Sequence, residues 1–237
     1  EWWCMGAYYG YQVVNKENKI NYSTFNLEEK LRLKKYSVGG MKFLESFYEK
    51  NEITQALYFI LKKIGTPVVV NTICDYDDEG TFKNQLAWDS GFEKTSFDVK
   101  ELGKFIRAKQ KIEKEYNLTS NSMLGYIVCD EKKQYIDLYK FTNGLTVSPL
   151  ALLTRSSETS QGGGDFDVSD VDWERVKNSK YKEFKENPKF DKSLISSWKD
   201  LEIQFYKEEY CNPSEELKTK LKEYEDISQK ILLETNW

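Results

Sequence analysis

Between Pro67 and Gly80 the chain reads Val68-Val69-Val70-Asn71-Thr72-Ile73-Cys74, followed at once by Asp75-Tyr76-Asp77-Asp78-Glu79. No other stretch restricts the fold as tightly. A β-branched run that starts after a proline and stops at an acidic turn reads as a strand buried on both faces. Four carboxylates crowd its carboxyl end, which is where open α/β sheets gather their sites. The strand is therefore expected at the centre of the sheet, with its carboxyl end as the functional edge.

The residues leading into it form its clearest neighbour. Ile53, Ala56, Leu57, Ile60, Leu61 and Ile64 recur at helical spacing, and Asn51 stands where an N-cap belongs. Gly65 offers the left-handed position that ends a helix, and Pro67 forbids its continuation. Tyr8 to Val14 alternates, and Ile20-Asn21-Tyr22 returns after a polar turn, which predicts a hairpin. Met123–Cys129 and Tyr135–Phe141 predict a second hairpin around Asp130–Lys133, with Ile136 and Leu138 on one face and Asp137 on the other. Asp98 caps a further helix carrying Leu102, Phe105, Ile106 and Ile112.

Near the end, Asn212-Pro213-Ser214-Glu215 matches a capping box with proline at the first helical position. Leu217, Leu221, Tyr224, Ile227 and Ile231 continue it as one amphipathic helix to about Glu234. These elements predict an α+β fold: a single domain with a mixed β-sheet, packed helices and a helical C-terminal extension. The core domain is expected over 5–172 and the extension, packed on it, over 173–237, with Glu1–Cys4 lying ahead of a natural start at Met5-Gly6.

Histidine is absent from the 237 residues. That excludes Ser-His-Asp and Cys-His catalysis, His-ligated metals and imidazole bases together. A net charge of -4 without clustered Lys or Arg argues against a nucleic-acid partner. No apolar run reaches the ~20 residues a bilayer demands, and no leader-like stretch precedes the first element, so a cytoplasmic location is expected. Cys4, Cys74, Cys129 and Cys211 are far apart and form no CxxC pair. They read as reduced, mostly buried thiols rather than disulfides or zinc ligands. With no histidine or cation to activate them, Cys74 and Cys129 read as core residues, not nucleophiles.

Two stretches carry candidate chemistry. Asp75, Asp77 and Asp78 before Gly80 begin like a calcium loop, but position twelve is Leu86 where a bidentate Glu is required. What is left is a simpler oxygen site for one hard divalent cation, Mg²⁺ or Ca²⁺, against the plainer reading of a solvated acidic turn. Gln161-Gly162-Gly163-Gly164-Asp165 is the second, since Gly162, Gly163 and Gly164 allow an anion-binding nest. It lacks the Lys-Ser/Thr of a phosphate loop, and the surrounding 155–172 carries five carboxylates and no basic residue past Arg155. A tight loop lending Asp165 and Asp167 to a cation is the better reading. The metal candidates are thus Asp75, Asp77, Asp78 and Asp165.

Several blocks resemble one family. Met5-Gly6-Ala7-Tyr8-Tyr9 with Val13-Val14-Asn15, Gly40-Met41-Lys42-Phe43-Leu44-Glu45, Cys74-Asp75-Tyr76-Asp77-Asp78-Glu79, and Ser148–Thr154 with Gly162–Phe166 appear in the same order as blocks of an uncharacterised bacterial and phage protein family. That family opens Met-Gly-x-Tyr-Tyr and carries Gly-Asp-Tyr-Ala-Asp-Glu and Gly-Gly-Gly-Asp-Tyr. The resemblance spans about 5–166 and implies no activity. It implies a prokaryotic or phage setting and a shared site for Asp75, Asp78 and Asp165. Cys74 and Asp77 depart from its pattern, as do the histidines missing from the early segment. The expected function is an intracellular, acidic binding or interaction protein with a protein partner. Its alternative is a divalent-metal-dependent hydrolase or nuclease-like enzyme using the acidic loops to activate water.

Overall fold

The computed structural model describes residues 9–15, 17, 20–23, 52–74, 104, 125–141, 145–155, 183–185, 188–206 and 213–236. Its strands in chain order are β1 (Tyr9–Asn15), β2 (Ile20–Ser23), β3 (Val68–Cys74), β4 (Tyr126–Cys129), β5 (Gln134–Asp137), β6 (Leu145–Thr146), β7 (Glu183–Lys185), β8 (Glu202–Tyr206), β9 (Glu225–Asp226) and β10 (Glu234–Asn236). The α-helices are α1 (Glu52–Ile64), α2 (Pro149–Leu153) and α3 (Glu215–Glu223). Seven strands make one sheet in the order β2-β1-β3-β8-β4-β5-β9, and three make a second, β6-β10-β7. In the larger sheet only β5 and β9 run parallel, so the fold is α+β with a mixed sheet.

Strand β3 and the β1–β2 hairpin stand where the sequence predicts them. The chemistry expected at the end of β3 loses its topological warrant, however. That warrant belongs to parallel sheets, and β3 is antiparallel to both its neighbours, β1 and β8. Helix α1 also differs from expectation. It is buried without a break from Thr54 to Leu61 rather than along one stripe, and the buried hydroxyls of Thr54 and Tyr11 meet at 3.2 Å. Gly65, at φ +76°, donates to the Leu61 carbonyl at 3.1 Å and ends the helix in the left-handed conformation.

Residues opposite one another in an antiparallel pair share a face, as do alternate residues along a strand. The pairs Val13↔Val70, Val68↔Ile203, Ile127↔Phe205 and Ile127↔Ile136 therefore define one side of the large sheet. This is the core face. Its side chains join Leu57, Ile60 and Leu61 of α1, Leu150–Leu153 of α2 and the fully buried Trp198 in one apolar cluster. Phe205 stacks on Tyr58 of α1, ring centroids 5.8 Å apart. Each such aliphatic side chain contributes about 1.5–3 kcal/mol on full burial, which makes this cluster the main source of stability.

The last quarter of the chain corrects three expectations. Strand β8 is inserted between β3 and β4, so the segment 173–237 supplies an interior strand of the sheet as well as a helix. Helix α3 stops at Glu223 instead of running to Glu234, because Tyr224 is already extended and the chain then pairs with β5. Ile227 and Ile231 keep helical spacing, yet it is a 3₁₀ turn over Ser228–Lys230 that carries both into the core. The cap is Ser214, whose Oγ accepts the Leu217 N–H at 3.3 Å, and Pro213 precedes it. The second hairpin is shorter than expected too. After Asp137 the chain turns into a 3₁₀ helix over Leu138–Phe141, because Asp137 Oδ1 accepts the Tyr139 N–H at 3.0 Å and closes a turn.

Of the predicted helix after Asp98, only Lys104, helical and exposed, belongs to the described residues. The glycine- and carboxylate-rich stretch past Arg155 lies outside them.

Candidate functional site

The opposite side of the large sheet is chemically different from the core face. Tyr206 of β8 pairs with Tyr126 of β4, which pairs with Asp137 of β5. The next row on that side runs Gln204, Val128, Tyr135, Asp226 across β8, β4, β5 and β9. Apart from the buried Val128, these residues are only partly covered. The same side becomes buried toward β3 and β1, at Val69, Asn71, Gln12 and Val14. Half-covered tyrosines and carboxylates on a rigid sheet are unlike an apolar core and unlike the lysine-rich surface that ordinary solubility favours.

Tyr126 is the centre of an aromatic corner. Its ring lies 6.3 Å from that of Tyr135, inclined at 61°, and 6.3 Å from that of Tyr139, inclined at 63°. Sheet geometry brings the first pair together, since Tyr135 is diagonal to Tyr126 across β4 and β5 and within reach of a large side chain. Tyr139 arrives through the turn that Asp137 closes.

The charges of this face are unevenly matched. Lys140 pairs with Asp226, and Ser228 N–H donates to the same carboxylate at 2.9 Å. Burial works against the Asp226 charge, but Lys140 and Ser228 outweigh it and hold the carboxyl below its usual range. Lys220 of α3 reaches both oxygens of Asp130, at 3.0 and 3.1 Å, and lies 6.0 Å from the centre of the Tyr206 ring. Gln204 and Tyr224 donate to Asp130 as well, each at 2.9 Å. Burial lowers the Lys220 pKa, but bonding to Asp130 more than compensates and the ammonium is held above its usual value.

Asp137 has no such cation. Among the described residues it forms no ion pair, and burial pushes its carboxyl above the usual range against the Tyr139 N–H and the charge of Lys140. Tyr135 is pushed up in turn, first by burial and then by the charges of Asp226 and Asp137.

Asp75, Asp77, Asp78, Asp165, Gly162, Gly163 and Gly164 all lie outside the described residues. Among the described residues, no group of three His, Cys, Asp or Glu side chains could hold a metal ion. One backbone contact does concern the acidic segments. Thr72 of β3 and Arg155 form an isolated parallel bridge, and the Thr72 N–H donates to the Thr154 carbonyl at 2.9 Å. Thr72 and Arg155 therefore lie side by side with their chains running in the same direction, three residues before Asp75 and ten before Asp165 in the sequence. Arg155 is buried there, at 4% exposure.

Cys129 is a buried free thiol on the core face, and burial raises its pKa, which disfavours the thiolate. No helix among the described residues is long and apolar enough to cross a membrane.

Tyr206, Gln204 and Asp226 were not legible as site residues, although a signal existed for two of them. Glu202-Ile203-Gln204-Phe205-Tyr206 alternates with period two, which predicts a strand presenting Gln204 and Tyr206 away from the core. The lysines and glutamates around it hide that pattern in a composition that suggests a solvated helix. Asp137 was placed correctly on the face opposite Ile136. No family model, no curated protein and no solved structure matches this chain.

Proposed function

We propose that the chain is a binding protein that engages a protein partner through the tyrosine face of its large sheet. The row Tyr206–Tyr126–Asp137 carries this reading, because it sets partly covered aromatic and acidic side chains on neighbouring strands of a rigid element. Tyrosine supplies large contact area with little rotamer entropy to lose, which is why it concentrates at recognition surfaces. The free, buried Cys129 supports a reducing, intracellular setting for the same protein. Peptides selected from a random library against the full chain test the reading. They are expected to lose at least tenfold in affinity for Tyr126→Ala, about the loss of one aromatic anchor. Peptides that bind this variant and the parent equally overturn it.

A second reading rests on the Thr72↔Arg155 bridge, which sets side by side two residues that shortly precede the acidic segments in the sequence. On it, Asp75, Asp77, Asp78 and Asp165 hold one Mg²⁺ or Ca²⁺ ion and activate a water for hydrolysis. Its test is thermal. A cation that binds only the folded state raises the melting temperature saturably, and Asp75→Asn and Asp165→Asn each remove that rise. A chain whose melting is indifferent to both ions at millimolar concentration excludes this reading.

A further inference from the structure

The tyrosine face has a ligand chemistry more specific than protein contact in general. Resting on the binding reading above, we propose that the corner formed by Tyr126, Tyr135 and Tyr139 beside Asp137 receives a cationic side chain of the partner, an ammonium or a guanidinium. Aromatic faces attract a cation through their quadrupole within about 6 Å of the ring centre. Here two rings are inclined at 61° and 63° to a third, each 6.3 Å away, so the three present differently oriented walls rather than one stacked slab.

Charge points the same way. On this patch two carboxylates, Asp137 and Asp226, stand beside one ammonium, Lys140, and that ammonium is bonded to Asp226. The neighbouring Asp130 has its own partner in Lys220. Among the described residues, the carboxylate of this patch without an ion pair is therefore Asp137, directly across the sheet from Tyr126. A half-buried carboxylate without an ion pair is costly to keep charged, and an incoming cation offsets that cost while gaining the tyrosine faces. A neutral or acidic group gains neither.

The arrangement also constrains the geometry of recognition. Asp137 already accepts the Tyr139 N–H through Oδ1, so its other oxygen is the one available to the cation. That bond fixes the carboxylate beside Tyr139 before any ligand arrives, a form of preorganisation that lowers the ordering cost of binding.

The test uses the full, isotope-labelled chain and three small probes followed by amide NMR: n-butylammonium and n-butylguanidinium as side-chain mimics, and n-butanol as their neutral counterpart. Both cations are expected to shift the amides of Tyr126, Tyr135, Asp137 and Tyr139 saturably, and butanol is not. Asp137→Asn keeps the acceptor for Tyr139 and the shape of the side chain. It is expected to weaken the cations about tenfold, the loss of one charge-assisted contact. Tyr126→Leu keeps apolar area, removes the quadrupole and weakens them as well, whereas Glu216→Gln, at an exposed position on α3, leaves them unchanged. Butanol binding as strongly as the cations overturns the cationic assignment while leaving the face a binding surface. So do cation shifts that survive Asp137→Asn and Tyr126→Leu. No saturable shift with any probe overturns the site itself, and the peptide selection then decides separately whether the face binds protein.

Discussion

Tyr126 and Asp137 stand directly opposite each other across β4 and β5, an aromatic ring facing a carboxylate that burial holds above its usual pKa. The fold closes this pair in from both sides, with Tyr206 beyond Tyr126 on β8 and Tyr139 bonded to the Asp137 carboxylate. A carboxylate kept in such a place costs stability, and the cost has a definite dependence on pH.

The sign follows from the direction of the shift. Asp137 binds its proton more tightly in the folded chain than in the unfolded one, whose ordinary value is 3.8. The penalty is therefore absent below that value and grows as pH rises through the folded pKa. Asp137→Asn is expected to raise the melting temperature at pH 7, with the gain vanishing below 3.8. Asp226 behaves in the opposite sense. Its folded pKa lies below the ordinary 3.8, so its contribution is present above that value and is lost as pH falls through the folded pKa. Asp226→Asn is expected to lower the melting temperature at pH 7. Paired thermal melts of the two variants across this range check both signs, and an Asp137→Asn variant less stable than the parent at pH 7 contradicts the account.

Ile203 tests the insertion of β8. It is fully buried, pairs with Val68 and belongs to the core cluster. Ile203→Ala leaves a cavity and is expected to cost about 2–5 kcal/mol in denaturant unfolding. A cost below about 0.5 kcal/mol, the range of a surface substitution, places β8 outside the core.

Removing residues 213–237 gives a harsher test. The truncation deletes α3, β9, β10 and the buried Leu217, Ile227, Ile231 and Leu233. The expected outcome is loss of cooperative melting and exposure of apolar surface to a hydrophobic dye. A truncated chain that melts like the parent shows that the segment is a peripheral arm.

Where neighbouring residues decide the structure, the sequence was readable. Gly65 ending α1, the pairing of β1 with β2, and the β-branched run of β3 each rest on local stereochemistry, and each is found where expected. The end of α3 is a different case. Ile227 and Ile231 fit a helix as well as they fit a 3₁₀ turn, and only pairing with Tyr135 of β5, far away in sequence, decides between them. The tyrosine corner was hidden for the same reason. Tyr126 and Asp137 belong to one predicted hairpin, but Tyr206 and Asp226 join their face through strands that periodicity alone did not reveal. The acidic loops were prominent because carboxylates cluster there in sequence, whereas the carboxylates of this face are brought together by the fold.

The most direct measurement asks which face of the sheet meets the partner. A benzophenone amino acid is placed at Tyr126, at Tyr206, or at the exposed Lys62 of α1, a helix that packs on the core face. Each protein is irradiated with a library-selected peptide and the cross-linked product measured. The account predicts strong cross-linking from Tyr126 and Tyr206 and none from Lys62. Cross-linking from Lys62 with none from either tyrosine position contradicts it.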